Sequence, residues 1–135
     1  MADSTTESLE ADVGRFFDRF VEAFATFEGP RVAALYHAPF FAVGADGSVD
    51  RLDSREQIGR LLQFFLDGYH REGCRRTRFV DLAVVRLGGR SVVGTVTWEL
   101  VADDACVVRR WRESYNLLRA GDGWQVLVST DHLDE

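Results

Sequence analysis

Apolar positions change their spacing along this chain, and the change divides it into two halves. From Leu9 onward, Val13, Phe16, Phe17, Phe20, Val21, Phe24 and Phe27 recur at steps of three and four residues. That period predicts an amphipathic helix with a broad aromatic stripe, ending near Gly29. Ser4 followed by Glu7 offers a capping box at its start. Pro30 suits a first helical position, so PRVAALYH is expected to form a short second helix that Pro39 closes. Phe40 to Val43 reads as a short strand, Asp46-Gly47 as a hairpin turn, and Val49 to Leu52 as the partner strand. Asp53 or Ser54, with Glu56 or Gln57, caps a third helix whose stripe is Ile58, Leu61, Leu62, Phe65, Leu66 and Tyr69. Gly73 follows as the stop.

After Cys74 the period falls to two. Strand-like runs rich in Val, Thr, Trp and Tyr follow one another to His132, separated by Gly88-Gly89, ADDA and RAGDG. Helices first and a four-strand meander afterwards predict the α+β class, with helices on one face of a curved antiparallel sheet. Trp111, Glu113, Tyr115 and Leu117 alternate with Arg110, Arg112, Ser114 and Asn116, so one face carries aromatics, a carboxylate and a phenol. That is unusual for a plain core and suggests a pocket wall.

Two-residue turns at Gly88-Gly89 and at Asp103-Asp104 would set Phe79, Asp81, Val96, Trp98, Arg109, Trp111, Glu113 and Tyr115 on one surface. Val80, Leu82, Val84, Val93, Val101 and Leu127 would then lie on the other, enough apolar surface to predict a homodimer through that outer face. A single bulge would reverse part of this assignment.

At 135 residues the chain is read as one domain spanning 1–135, able to bury roughly two-thirds of its unfolded surface. The net charge of −6 argues against nucleic acid. All sixteen basic residues are arginine, which excludes Schiff-base chemistry through lysine. The first residues lack a basic and an apolar region, so no signal peptide is expected. No apolar run approaches the ~20 residues of a membrane span. Cys74 and Cys106 stand in no metal spacing and are read as reduced thiols of a cytoplasmic protein. No H-E-x-x-H, G-x-S-x-G or phosphate-binding loop occurs, and neither a metal nor a cofactor is expected.

The element order, the YHAPF segment and the closing GDGWQVLVSTDH together resemble the nuclear transport factor 2-like superfamily, nearest its SnoaL-like branch. The likeness runs from about residue 8 to 132. It implies a cone-shaped α+β fold, frequent homodimers, and activities from steroid isomerases, polyketide cyclases, dehydratases and epoxide hydrolases to non-catalytic binding domains. It also implies that the cone opens between the helices and the inner sheet face, with Trp124, Val126, Val128, Thr130 and His132 pointing inward and Tyr36 beside the floor.

The acidic residues of the steroid isomerases fall here near Gly44 and Tyr115, a departure that speaks against that reaction. Dehydratase chemistry would want paired histidines, for which three scattered ones are weak support. The epoxide hydrolase set of two acids and an arginine is met loosely by Asp81, Arg109 and Glu113.

Two functions are carried forward. One is a small-molecule-binding domain whose ligand is apolar, held by Phe16, Phe20, Phe24, Tyr36, Trp98, Trp111 and Arg109. The other is an acid–base enzyme on an apolar or polyketide-like substrate. In it Glu113 is the general base, Tyr115 polarises an oxygen, and His132 or Asp81 completes the relay. Each residue also has a structural reading. Arg109 would pair with Glu113 or Asp81, Tyr115 would be a core residue with a satisfied hydroxyl, and His132 a surface group. His37 is expected as a structural residue at a helix end, and His70 within a solvated basic cluster.

Overall fold

The computed structural model describes residues 2–133, with side chains from Ser8 onward. The elements are α1 (Ala2–Phe24), α2 (Gly29–Ala33), β1 (Tyr36–Val43), β2 (Val49–Leu52) and α3 (Arg55–Arg71). A meander follows: β3 (Arg76–Gly88), β4 (Ser91–Val101), β5 (Val107–Ala120) and β6 (Gly123–Asp131). They build one six-stranded sheet in the order β2-β1-β6-β5-β4-β3, antiparallel except where β1 runs parallel to β6. This is the expected α+β architecture, helices laid across the inner face of a mostly antiparallel sheet. Among the described residues no helix is long and apolar enough to cross a membrane.

The aromatic stripe of α1 is the centre of the core, with Val13, Phe16, Phe17 and Phe20 at most 4% exposed. The helix approaches the sheet where β4 has no side chain. A Cβ on Gly94 would meet the Phe17 ring at 3.0 Å and Val13 at 3.3 Å. Trp124 Nε1 donates to Asp12 at 3.0 Å, and Arg119 pairs with the same carboxylate at 3.0 Å, tying α1 to the last strand. The helix starts at Ala2, ahead of the expected Ser4–Glu7 cap, whose side chains lie outside the described residues.

The second helix is shorter than the sequence suggested. It ends at Ala33, and Tyr36, His37 and Ala38 belong to β1. The cause is tertiary: Val126 N–H donates to Leu35 O and Tyr36 stands beside Val126, so pairing with β6 claims residues that locally could have continued the helix. His37 therefore caps no helix; its Nδ1 lies 2.9 Å from Pro39 O. The rest of this half follows the sequence. Ser54 Oγ accepts from Gln57 N–H and Gln57 Oε1 accepts from Asp53 N–H, a reciprocal cap that opens α3. Gly73, at φ 104°, ends it.

Strand register decides which side chains meet the helices, and three departures from the sequence reading matter. The β3–β4 turn falls at Gly89-Arg90, with Gly88 opposite Ser91, and a bulge between Val80 and Ala83 restores Phe79 to Trp98. Leu82 and Val84 consequently turn toward the core, and Asp81 is left exposed at φ 57°. The β4–β5 loop spans 102–106 rather than two residues, closed by Ala102 N–H to Cys106 O. This shifts the pairing by two, so Trp98 faces Trp111 and Gly94 faces Tyr115, and the side chains from Gly94 to Leu100 and from Arg109 to Tyr115 keep their faces. Finally, a bulge in β6 between Val126 and Val128 flips the end of that strand.

Candidate functional site

Between α3, the C-terminal half of α1, β1 and the inner face of β4–β6 lies a cavity of about 690 Å³. Aromatic side chains line much of it: Phe20 and Phe24 from α1, Phe65 and Tyr69 from α3, Trp98 and Trp111 from the sheet. Tyr69 stacks on Phe24 at 6.0 Å and on Phe65 at 6.4 Å, and lies 5.7 Å from Trp111. At the mouth Phe64 and Phe65 are 68% and 43% exposed, an unusual degree for neighbouring aromatics on one helix.

The polar groups of the cavity gather on β5 and β6. Glu113 pairs in register with Asp131, and Tyr115 with Ser129. Trp111 Nε1 donates to Glu113 Oε1 at 2.8 Å, and Trp98 Nε1 donates to Tyr115 Oη at 2.7 Å. Glu113 is partly accessible only because the cavity beside it is open; protein surrounds its carboxyl. Burial pushes that carboxyl up to about 7, and the neighbouring Asp131 charge pushes the same way. Hydrogen bonds from Trp111, Tyr115 and Ser129 oppose the rise. Asp131 is also raised, by burial first, against its hydrogen bond with Glu113 and the nearby His132. Glu113, half-buried, and Asp131, exposed at the end of β6, therefore influence each other's protonation at the cavity wall. Tyr36 and Tyr115 are raised well above the usual phenol value, by burial and then by Glu113.

Of the sequence-selected residues, Glu113, Tyr115, Tyr36, Phe20, Phe24, Trp98, Trp111 and Arg109 all border the cavity. Others go elsewhere. Phe16 is fully buried against Phe17 and Phe20 and does not line it. Asp81 sits at the β3 bulge on the surface, its carbonyl accepting from Arg112. The loose epoxide hydrolase set of Asp81, Arg109 and Glu113 therefore does not assemble. Arg109 pairs with Glu72 at 2.7 Å, not with Glu113 or Asp81, and stands over the Tyr69 ring at 5.7 Å. His132 reaches the rim, but its Nε2 is 2.7 Å from Ser114 Oγ, which belongs to the opposite face. Val128 and Thr130 lose their inward places to Ser129 and Asp131.

Asp131 and Ser129 escape a reading of the sequence for one reason. WQVLVSTD alternates without any glycine or proline to betray the bulge that turns them inward. Tyr69 reads as part of the buried stripe of α3, with nothing local to mark it as cavity wall. Among the described residues no group of three or more His, Cys, Asp or Glu could hold a metal ion.

A curved sheet capped by helices, with an acid pair at the end of an aromatic interior cavity, defines a cone-shaped α+β protein of the nuclear transport factor 2-like class. The chain belongs to the family described as "NTF2-like protein (DUF6841)", which it matches over residues 10–134. No curated protein matches it. Among solved structures it is similar to Aln2 from a Streptomyces species, with a TM-score of 0.74 and 16% identity over 93% of this chain and 90% of that one. An NTF2-like protein with a cystatin-like fold from Novosphingobium aromaticivorans gives a TM-score of 0.69 at 12% identity, over 98% and 87%. An NTF-2 like protein of unknown function from Shewanella oneidensis gives 0.68 at 11%, over 91% and 98%. At these identities the likeness is one of fold.

Proposed function

We propose that the cone binds a small, largely apolar, ring-bearing molecule, with its one polar end set against Glu113 and Asp131. The observation that carries this is a cavity of about 690 Å³, lined by aromatic residues and bordered by the half-buried Glu113 and the exposed Asp131, which stand opposite each other on β5 and β6. Such a volume and lining match sites that enclose drug-sized ligands. Element order and the closing GDGW-x-V stretch favour the SnoaL-like branch within the family, and the two free thiols of Cys74 and Cys106 favour a reducing cytoplasm. Titration with Nile red, an uncharged environment-sensitive dye, tests the reading. Saturable one-to-one binding that quenches tryptophan emission is expected, and Phe20→Ala should weaken it. Dye uptake that never saturates, or that Phe20→Ala leaves unchanged, would remove the cavity from consideration.

A second reading, acid–base catalysis on the same class of molecule, is favoured by a carboxyl poised near neutrality. Glu113 would take the proton from the substrate, and Asp131 would exchange it with solvent. Tyr115 is a poor electrophile here, because it accepts from Trp98 and is engaged with Glu113. Tyr36, also at the cavity, has the freer hydroxyl. Isomerase, cyclase or dehydratase chemistry fits these roles. Glu113→Gln should abolish turnover of a true substrate with affinity nearly kept.

The outer sheet face is proposed as a homodimer contact. Leu82, Val84 and Val101 are not part of it: the first two pack against the core, and Val101 is fully buried. Val80, Val85 and Val108 supply exposed apolar surface instead, at 37%, 56% and 36%. Sedimentation at micromolar concentration should show a dimer, and Val85→Glu should dissociate it.

A further inference from the structure

Where β5 and β6 border the cavity, the described residues supply acids and no committed base. Glu113 and Asp131 lie side by side. The titratable groups facing them from the surrounding elements are Tyr36 of β1, Tyr69 of α3 and Tyr115 of β5. Among the described residues His132 is the basic group near Asp131, and its ring is hydrogen-bonded to Ser114 on the other face. The arginines that approach are engaged or peripheral. Arg109 is held by Glu72, Arg110 by Glu99, and Arg71 stays at the rim on the last turn of α3.

A protein with sixteen arginines thus sets none of them against this carboxyl pair, of which Glu113 is half-buried and Asp131 exposed. Two carboxyl groups set side by side hold one proton between them more readily than separated ones do. Independently, the Tyr36 side chain is 3% exposed, borders the cavity, and its hydroxyl makes no hydrogen bond to the described residues. Around these groups the cavity is lined by the rings of Phe24, Tyr69 and Trp111, and aromatic rings attract positive charge.

Accepting that the cavity is a small-molecule site, we propose that its ligand is an organic cation. It is a ring-bearing primary or secondary amine whose ammonium sits between Glu113 and Asp131 while its apolar body lies among the rings. The ammonium donates one N–H to each carboxylate and a further one, where it has it, to the Tyr36 hydroxyl oxygen. The proton shared by the pair leaves as the cation enters. Affinity therefore rises with pH through the region where the pair still holds that proton, then levels off.

Calorimetry with two matched pairs tests this: tryptamine against tryptophol, and 1-aminoadamantane against 1-adamantanol. Each amine should bind about tenfold or more tighter than its alcohol at pH 7. Its heat should vary with the ionisation enthalpy of the buffer, reporting proton release, whereas the alcohol's should not. Glu113→Gln and Asp131→Asn, each confirmed to melt cooperatively, should both erase the preference; if the first does not fold, the second decides. Alcohols that bind as tightly as amines would overturn the cationic ligand and leave the small-molecule site standing. An amine preference that survives both substitutions would also overturn it. If no member of either pair binds the native protein, the site itself fails and this inference with it.

Discussion

Glu113 shows how much one position depends on its neighbours. Its face is readable from the alternation in β5, but its partner is not. In the fold its carboxyl is raised to about 7, whereas in the unfolded chain it titrates in the ordinary carboxylate range. The folded protein thus keeps a proton that the unfolded chain has already released between those two values. The stability Glu113 contributes is full below the carboxylate range and lost as pH rises through about 7, a fall on the order of 3 kcal/mol. Urea midpoints at pH 5 and pH 8 should show this slope, and Glu113→Gln should flatten it. Asp81 makes the opposite case. It is exposed, in a left-handed conformation, and far from the acid pair in role. Asp81→Val should cost about 1 kcal/mol through backbone strain and Asp81→Gly little, and neither should change ligand binding. An effect of Asp81→Gly on affinity would restore this residue to the site.

At the level of elements, the caps and the contacts of small residues are where prediction is sharpest. Ser54→Ala removes the hydrogen bond to Gln57 N–H and should cost about 1 kcal/mol in chemical denaturation. Gly29→Ala is a harsher change. A Cβ there would run into Gly59 O and come within 2.9 Å of Gln63 N, both backbone atoms of α3. Neither can give way without moving the helix, so a loss of at least about 2 kcal/mol is expected. If Gly29→Ala melts with the parent, the close seating of α2 on α3 is wrong. The shortening of α2 belongs to this scale too. Tyr36 entered the cavity because β6 drew residues 36–43 into the sheet, which no reading of PRVAALYH by itself could foresee.

The whole molecule is held by α1 lying across the sheet, and the same rings serve the core and the cavity. Phe20 touches Tyr36, Trp98 and Tyr115 at 6.1, 5.2 and 5.8 Å between ring centroids. Phe20→Ala should therefore cost ~3–5 kcal/mol and weaken ligand binding together, since the void it leaves joins the cavity. Phe16→Ala should destabilise about as much, but affinity per folded molecule should hold, because Phe16 does not line the cavity. Thermal melts and Nile red titrations of the two variants separate these outcomes. On the outer face Glu99 is 6% exposed between Arg78 and Arg110, at 2.6 Å from the first. That cross-strand row is satisfied within one chain, so the proposed dimer should form through the valines around it and depend little on salt.

The sequence by itself determined what is local: periods of 3.6 and 2, a reciprocal cap at Ser54, turn chemistry at Asp46-Gly47, a stop at Gly73, and the face shared by Trp98, Trp111, Glu113 and Tyr115. These rest on interactions within a few residues, or on parity that an even shift leaves intact, as the β4–β5 loop did. The carboxyl pair came from packing across the whole sheet. A bulge near Leu127 turned Asp131 inward and His132 outward, and another at Asp81 exchanged it for Leu82 against α1. Each bulge inserts one residue, and one residue is half the period of a strand, so it reverses every side chain beyond it. Where it falls is set by how the sheet must curve beneath α1, and that curvature is a property of the packed molecule.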